Sequence, residues 1–488
     1  MSFPRSAGIL LHPTSLPGPN GIGEIGPEAH RFLDFLAESG LRIWQMLPMG
    51  PTGYGNSPYQ CFSAFAGNPL LIHVTGAPGD FPAHTVEFER VIPRKQALLR
   101  EVTATVALDD RYRAFVAEQH WWLEDYALFM ALKHAHGGVA WTEWDRRVAL
   151  RDPAALEEWK RRLADSVEHY RREQWLFFSQ FQALKEAASD RGIRLMGDIP
   201  IYVAHDSADV WSNPSLFELD EHGHLLVQAG VPPDYFSATG QLWGNPIYDW
   251  DAMRAQGYDW WIRRMRAAFE LFDLVRIDHF RGFEAYWEVP GGEVTAEHGR
   301  WREGPGADLL GAITDALGPL PIVAENLGVI TPAVEALREQ FGYPGMSILQ
   351  FAFGTDAQAN HFQPHTYPRE LVVYTGTHDN DTTIGWWTSS GVGDSTRTAA
   401  DVAQERDYAM RYLATDGREM HWTLMRAALA SVANTALLPM QDLLGLGSEA
   451  RMNLPGRQSG NWGFRFSEDQ LTRGIVRRLR ELVDLYQR

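Results

Sequence analysis

Thiol chemistry is nearly missing from this chain, since Cys61 is the only cysteine among 488 residues. No intramolecular disulfide can form, and neither a cysteine zinc site nor an iron–sulfur cluster is available. Such usage fits a reducing compartment, and a cytoplasmic protein is expected. Positive charge is also short. The 44 Lys and Arg stand against 62 Asp and Glu, a formal net charge of −18, which disfavours nucleic acid or an acidic membrane surface as a partner. No apolar run reaches membrane-spanning length, and the N-terminus runs into Ala7–Leu11 without the apolar core and cleavage site of a secretory signal. The His residues are scattered without metal-ligand spacing, and the glycine-rich runs carry no P-loop or dinucleotide fingerprint. Neither a metal nor a cofactor is therefore expected. A neutral or cationic ligand remains.

Aromatic residues are plentiful. They make up 12% of the chain, with 18 Trp. Most of these must be packing residues, but Trp and Tyr also present a flat apolar face with a polar edge, which suits sugar rings. The most informative segment is LFDLVRIDHF, Leu271–Phe280, which hides two opposite charges in a hydrophobic strand. Side chains alternate along a strand, so Leu274, Arg276 and Asp278 share one face while Val275 and Ile277 take the other. Burying either charge alone costs several kcal/mol, about the margin by which a domain is stable, so the two must pair. Two further short apolar stretches also end in acids, PIVAEN before Leu327 and LVVYTGTHDND from Leu371 to Asp381.

Eight apolar runs bounded by turn residues read as parallel strands: Gly8–His12, Arg42–Leu47, Ile193–Asp198, Leu271–Asp278, Pro321–Glu325, Met346–Phe351, Leu371–Thr375 and Thr435–Met440. Amphipathic helical segments lie between most of them, including Pro27–Ser39, Glu173–Arg191, Asp259–Phe269, Ala307–Leu317, Thr331–Gln340 and Gln404–Leu413. The expected fold is α/β, a (β/α)8 TIM barrel filling residues 1–488 as one catalytic unit, with no C-terminal β-sandwich. Two connections are too long for a plain barrel. Residues 74–170, after strand two, have helical spacing. Residues 205–261, after strand three, read as irregular and aromatic-rich, and long loops of that kind are usually functional.

In a closed parallel barrel all strand C-terminal ends open onto one face, so Asp278, Glu325 and Asp379 are expected to meet in one cleft. Two carboxyls, one ionised and one protonated, are the equipment for cleaving a glycosidic bond. Arg276 favours an ionised Asp278. Glu325 follows Ile322, Val323 and Ala324 with no basic residue nearby, which favours the neutral acid. Asp379 is suited to oppose positive charge developing on a sugar ring. Blander readings stand beside these: Asp278 as half of a structural salt bridge, Glu325 as a helix cap, and His378–Asp379 as a solvated turn.

At this level of detail the chain resembles the amylomaltase, or 4-α-glucanotransferase, family (glycoside hydrolase family 77) of the α-amylase clan. The motifs that carry the resemblance are LLHPTSLP (Leu10–Pro17), GYGNSPYQ (Gly53–Gln60), SAFAGNP (Ser63–Pro69), GDIPIYV (Gly197–Val203), GVPPDYFS (Gly230–Ser237), GQLWGNP (Gly240–Pro246) and RMNLPG (Arg451–Gly456). The resemblance implies Asp278 as nucleophile, Glu325 as general acid/base and Asp379 as transition-state stabiliser in a retaining double displacement. It implies Arg276 and His378 beside the donor sugar, with Asp198, Ser57, Tyr59, Gln241, Trp243, Asn453 and Pro455 lining sugar subsites. It further implies Tyr235 and Phe236 on an aromatic loop over the cleft and Tyr54 at a secondary glucan surface. The implied partners are α-1,4-glucans with glucose or maltooligosaccharide acceptors, and a monomer is expected. Asn326 stands where many relatives carry Asp, and removal of that charge is expected to move the pH optimum slightly. A hydrolase using the same three acids and a non-catalytic glucan-binding barrel remain as alternatives.

Overall fold

The computed structural model describes residues 3–76, 79–233, 239–354, 359–391, 398–457 and 459–488. Eight parallel strands build the centre: β1 (Ser6–Leu10), β2 (Ile43–Gln45), β3 (Arg194–Pro200), β4 (Leu274–Asp278), β5 (Ile322–Ala324), β6 (Gly345–Ile348), β7 (Leu371–Tyr374) and β8 (Thr435–Pro439). Their hydrogen-bonded order is β6-β7-β8-β1-β2-β3-β4-β5. The remaining seam, between β5 and β6, is bridged by the Ala324 N–H donating to Pro344 O at 3.0 Å. This is a TIM-type barrel. The strands lie where the apolar runs place them, with small shifts at their ends. The largest, three residues each, are at the start of β4, because Leu271 closes the preceding helix, Asp259–Leu271, and the strand starts at Leu274, and at the end of β6, because Leu349–Phe351 turns into a 3-10 helix.

Alternation along β4 behaves as period two requires. Leu274 packs inside the barrel with Met196, Val323 and Met346, while Val275 and Ile277 join the outer core against the helices. Arg276 and Asp278 therefore follow Leu274 up the inside, toward the mouth.

Between β2 and β3 the chain forms a run of helices, Phe88–Ala104, Asp110–Glu118, His120–Ala135, Arg146–Ala149 and Pro153–Arg162, and then the long helix Ala164–Asp190. That last helix begins well before Glu173 and covers the barrel with Phe177, Phe181 and Leu184 buried. The stretch 205–261 departs from its irregular reading. It supplies Val227–Val231 and Gln241–Pro246 to a four-stranded antiparallel sheet completed by Ala285–Pro290 and Arg300–Glu303, from beyond β4. Backbone pairing thus fixes the aromatic wall carrying Trp243. No helix among the described residues is long and apolar enough to cross a membrane.

Candidate active site

A buried ion network organises the barrel mouth. In the β3–β4 register Asp198 lies opposite Arg276, and Pro200 opposite Asp278. Arg276 Nη1 donates to both Asp198 oxygens at 2.8 and 2.7 Å, and Nη2 donates to Asp278 Oδ1 at 2.8 Å. Tyr59 Oη closes the group by donating to Asp198 Oδ2 at 2.7 Å. Burial pulls the guanidinium down, but Asp198 and Asp278 together outweigh it and hold Arg276 well above its ordinary range. The deeper partner is Asp198, 4% exposed. Sequence periodicity reveals Arg276 beside Asp278, whereas the second carboxylate depends on inter-strand register.

Glu325 follows β5 and faces Asp278. Burial, and next the Asp278 charge, push its carboxyl up from 4.5 to about 7, against the opposing pull of Arg276 and two backbone amides. Those amides are Leu327 N, donating to Oε1 at 2.7 Å, and His279 N, donating to Oε2 at 2.8 Å. Both oxygens are thus oriented by the backbone, and the carboxyl can lose and regain a proton near neutral pH. This is the electrostatic environment anticipated from the apolar residues before Glu325.

The third acid lies on the loop after β7. His378 is buried, with its ring stacked on Tyr59 at 5.0 Å, and its Nε2 lies 3.3 Å from Asp379 Oδ1. Asn453 Nδ2 donates to the same Asp379 oxygen at 2.6 Å, while Arg451 Nη2 donates to the Asp379 carbonyl at 2.6 Å. These contacts give the His378–Asp379 turn a fixed shape. A chain of contacts therefore runs from Asp379 through His378, Tyr59, Asp198 and Arg276 to Asp278, and the next residue, His279, donates its amide to Glu325.

The remaining candidates sit around this chain. Trp243 is half-buried on the antiparallel sheet, its indole N–H donating to Gln241 Oε1 at 3.4 Å. Ser57 Oγ accepts from Tyr59 N at 3.2 Å, and the same loop is tied to that sheet by Gln60 Nε2 donating to Asn245 Oδ1 at 3.2 Å. Pro455 lies exposed on the Asn453 loop, and Tyr54 is 69% exposed on the turn Tyr54–Asn56. Neither is joined by a described contact to the acids. Tyr235 and Phe236 lie outside the described residues. No cluster of three or more His, Cys, Asp or Glu among the described residues is placed to hold a metal ion.

A family model described as 4-alpha-glucanotransferase, glycoside hydrolase family 77, matches residues 11–472. The chain belongs to this family. It is 51% identical to a 4-alpha-glucanotransferase of Thermus thermophilus, an alignment covering 100% of both chains. It is 42% identical to a chloroplastic/amyloplastic 4-alpha-glucanotransferase of Solanum tuberosum, covering 99% of this chain and 86% of that one. Among solved structures, an amylomaltase from Streptococcus agalactiae in complex with acarbose superposes with a TM-score of 0.93 at 38% identity, over 99% of each chain. As a 4-alpha-glucanotransferase, the protein is a glycosyl-transferring enzyme built on a TIM barrel.

One functional residue escaped the sequence reading, and a second, Asn326, makes contacts that its place beside Glu325 does not suggest. His279 supplies an amide to Glu325 from a backbone with φ +52°. Only a weak signal exists for this, the modest tolerance of His for left-handed geometry. Asn326 does not present its amide to the acid pair. Its Oδ1 accepts from Met346 N at 2.8 Å across the β5–β6 seam, and its Nδ2 donates to Glu335 Oε1 at 2.7 Å. A Cβ on the neighbouring Gly345 would fall 2.7 Å from that amide, so glycine leaves room for the bridge.

Proposed function

We propose that the cleft transfers a segment of an α-1,4-glucan to the 4-hydroxyl of an acceptor glucan or glucose, by retaining double displacement. An Asp278 oxygen attacks the anomeric carbon while the Glu325 proton passes to the departing glycosidic oxygen, and the C1–O bond breaks. A covalent glucosyl-enzyme forms. The acceptor 4-hydroxyl then gives its proton to Glu325 and attacks C1, releasing Asp278 as a carboxylate; two inversions restore the α configuration. Arg276 pairs Asp278 in its charged form. Asp379, beside His378 and Asn453, opposes the positive charge spreading over the ring as the bond breaks. Tyr59, Asp198, Ser57, Gln241, Trp243, Asn453 and Pro455 bind successive sugar units, with Tyr235 and Phe236 as further glucan-binding residues, and Tyr54 meets glucan farther out.

The observation that carries this reading is the Glu325 carboxyl, raised to about 7 beside Asp278 and gripped by two amides, because one group must serve as acid and then as base. A binding module has no use for such a pair. Incubation with maltotriose tests the reading: longer maltooligosaccharides plus glucose are expected. Maltose and glucose alone would show that water resolves the intermediate and that the protein is a hydrolase.

A further inference from the structure

The residue after Asp278 adopts a conformation that a Cβ disfavours. His279 has φ 52° and ψ 47°, in the left-handed region. Hydrogen bonding on either side of it is regular: Glu325 N donates to Ile277 O at 3.0 Å, and Phe280 N donates to Glu325 O at 3.2 Å. Between these two bonds the His279 N–H swings out of the ladder and donates to Glu325 Oε2 at 2.8 Å. The segment bearing Asp278 therefore holds Glu325 at three points, its amide, its carbonyl and its carboxylate.

Strained backbone persists only where its surroundings hold it. The imidazole meets the Trp243 ring edge-on, with centroids 4.8 Å apart and planes at 89°. Desolvation pulls the imidazole down to about 4, so it brings no charge to Glu325 at neutral pH. The charged groups that do face Glu325 are Asp278, which raises its proton affinity, and Arg276, which lowers it, both from β4. What His279 contributes is one amide, aimed by its kink.

We propose that His279 is a positioning residue for the acid/base: its left-handed backbone, locked by the ring against Trp243, delivers an amide that lowers the proton affinity of Glu325 against the upward push of burial and Asp278. This rests on reading Glu325 as the acid/base. An amide donor favours the carboxylate, so losing it raises the affinity for the proton and moves the basic limb of the pH–rate profile upward.

Two variants separate backbone from ring. His279→Ala removes the ring and disfavours the kink; His279→Gly removes the same ring but permits positive φ. With maltotriose, the basic limb of kcat for His279→Ala is expected to rise by about half a pH unit or more. In His279→Gly at least half of that displacement should be recovered, with KM for the two variants agreeing within about twofold because both lack the same ring atoms. Equal displacement in both variants, no displacement in either, or a loss of turnover without movement of the limb would overturn the proposal. Failure of the underlying reading looks different: Glu325→Gln would keep near-parental turnover and the parental basic limb.

Discussion

If Glu325 is held near 7 by burial and Asp278, folding must pay for its ionisation, and that cost can be measured. In the unfolded chain the carboxyl titrates near 4.5, and in the folded protein near 7. Between these values the folded state binds more protons than the unfolded one, so this group's contribution is fully present below 4.5 and is lost as pH rises to 7. The difference of about 2.5 units corresponds to roughly 3 kcal/mol at 1.36 kcal/mol per unit. Glu325→Gln removes the titration. Its amide cannot accept from both Leu327 N and His279 N, which costs about 1–2 kcal/mol at every pH. The informative quantity is therefore the change in the stability difference between parent and variant with pH. Denaturation in urea, followed by tryptophan fluorescence at pH 4.5 and pH 8, should show the variant gaining on the parent by about 3 kcal/mol across the interval. A gain below about 1 kcal/mol would mean that the carboxyl titrates in the ordinary range, and the acid assignment would lose its physical basis.

Other parts of the site carry their own expectations. Asp198→Asn leaves the buried Arg276 with Asp278 as its one carboxylate partner in the network, and should cost about 3–5 kcal/mol of stability in the same urea assay; a loss below about 1 kcal/mol would show that Asp198 is dispensable to the ion network. Asn326→Asp keeps the bond from Met346 N but sets a carboxylate against Glu335, so thermal denaturation at pH 7 should register about 1–2 kcal/mol of lost stability while the pH–rate profile moves little. An unchanged melting temperature with a displaced profile would reverse that judgement. Asp278→Asn should lower kcat by several orders of magnitude while the fold, checked by circular dichroism, is kept. Near-parental turnover in that variant would remove Asp278 from the chemistry.

The barrel was legible because each strand is a short apolar run closed by turn residues, and β4 was legible in detail because period two puts Arg276 and Asp278 on one face with Leu274. Register was not. Nothing local to Arg194–Pro200 says that Asp198 will lie opposite Arg276, and the family motif named Asp198 only as a residue lining a sugar subsite. The antiparallel sheet escaped for a related reason. Its strands come from both sides of β4, and Arg300–Glu303, with all four residues exposed, has no apolar alternation to betray it. The boundary at Leu271 misled because an apolar residue closing a helix and one opening a strand look alike in sequence. The contacts of Asn326 were not legible because a residue adjacent to Glu325 in sequence points its side chain to the barrel seam.

The covalent step is the centre of the account, and it can be observed on the protein itself. Glu325→Gln incubated with an α-maltooligosyl fluoride, whose leaving group needs no proton, should accumulate a glycosyl ester that can be located by peptide mass spectrometry. The account predicts the added sugar mass on the peptide containing Asp278, with products of the α configuration. An adduct on another residue, or turnover to products of the β configuration, would contradict it.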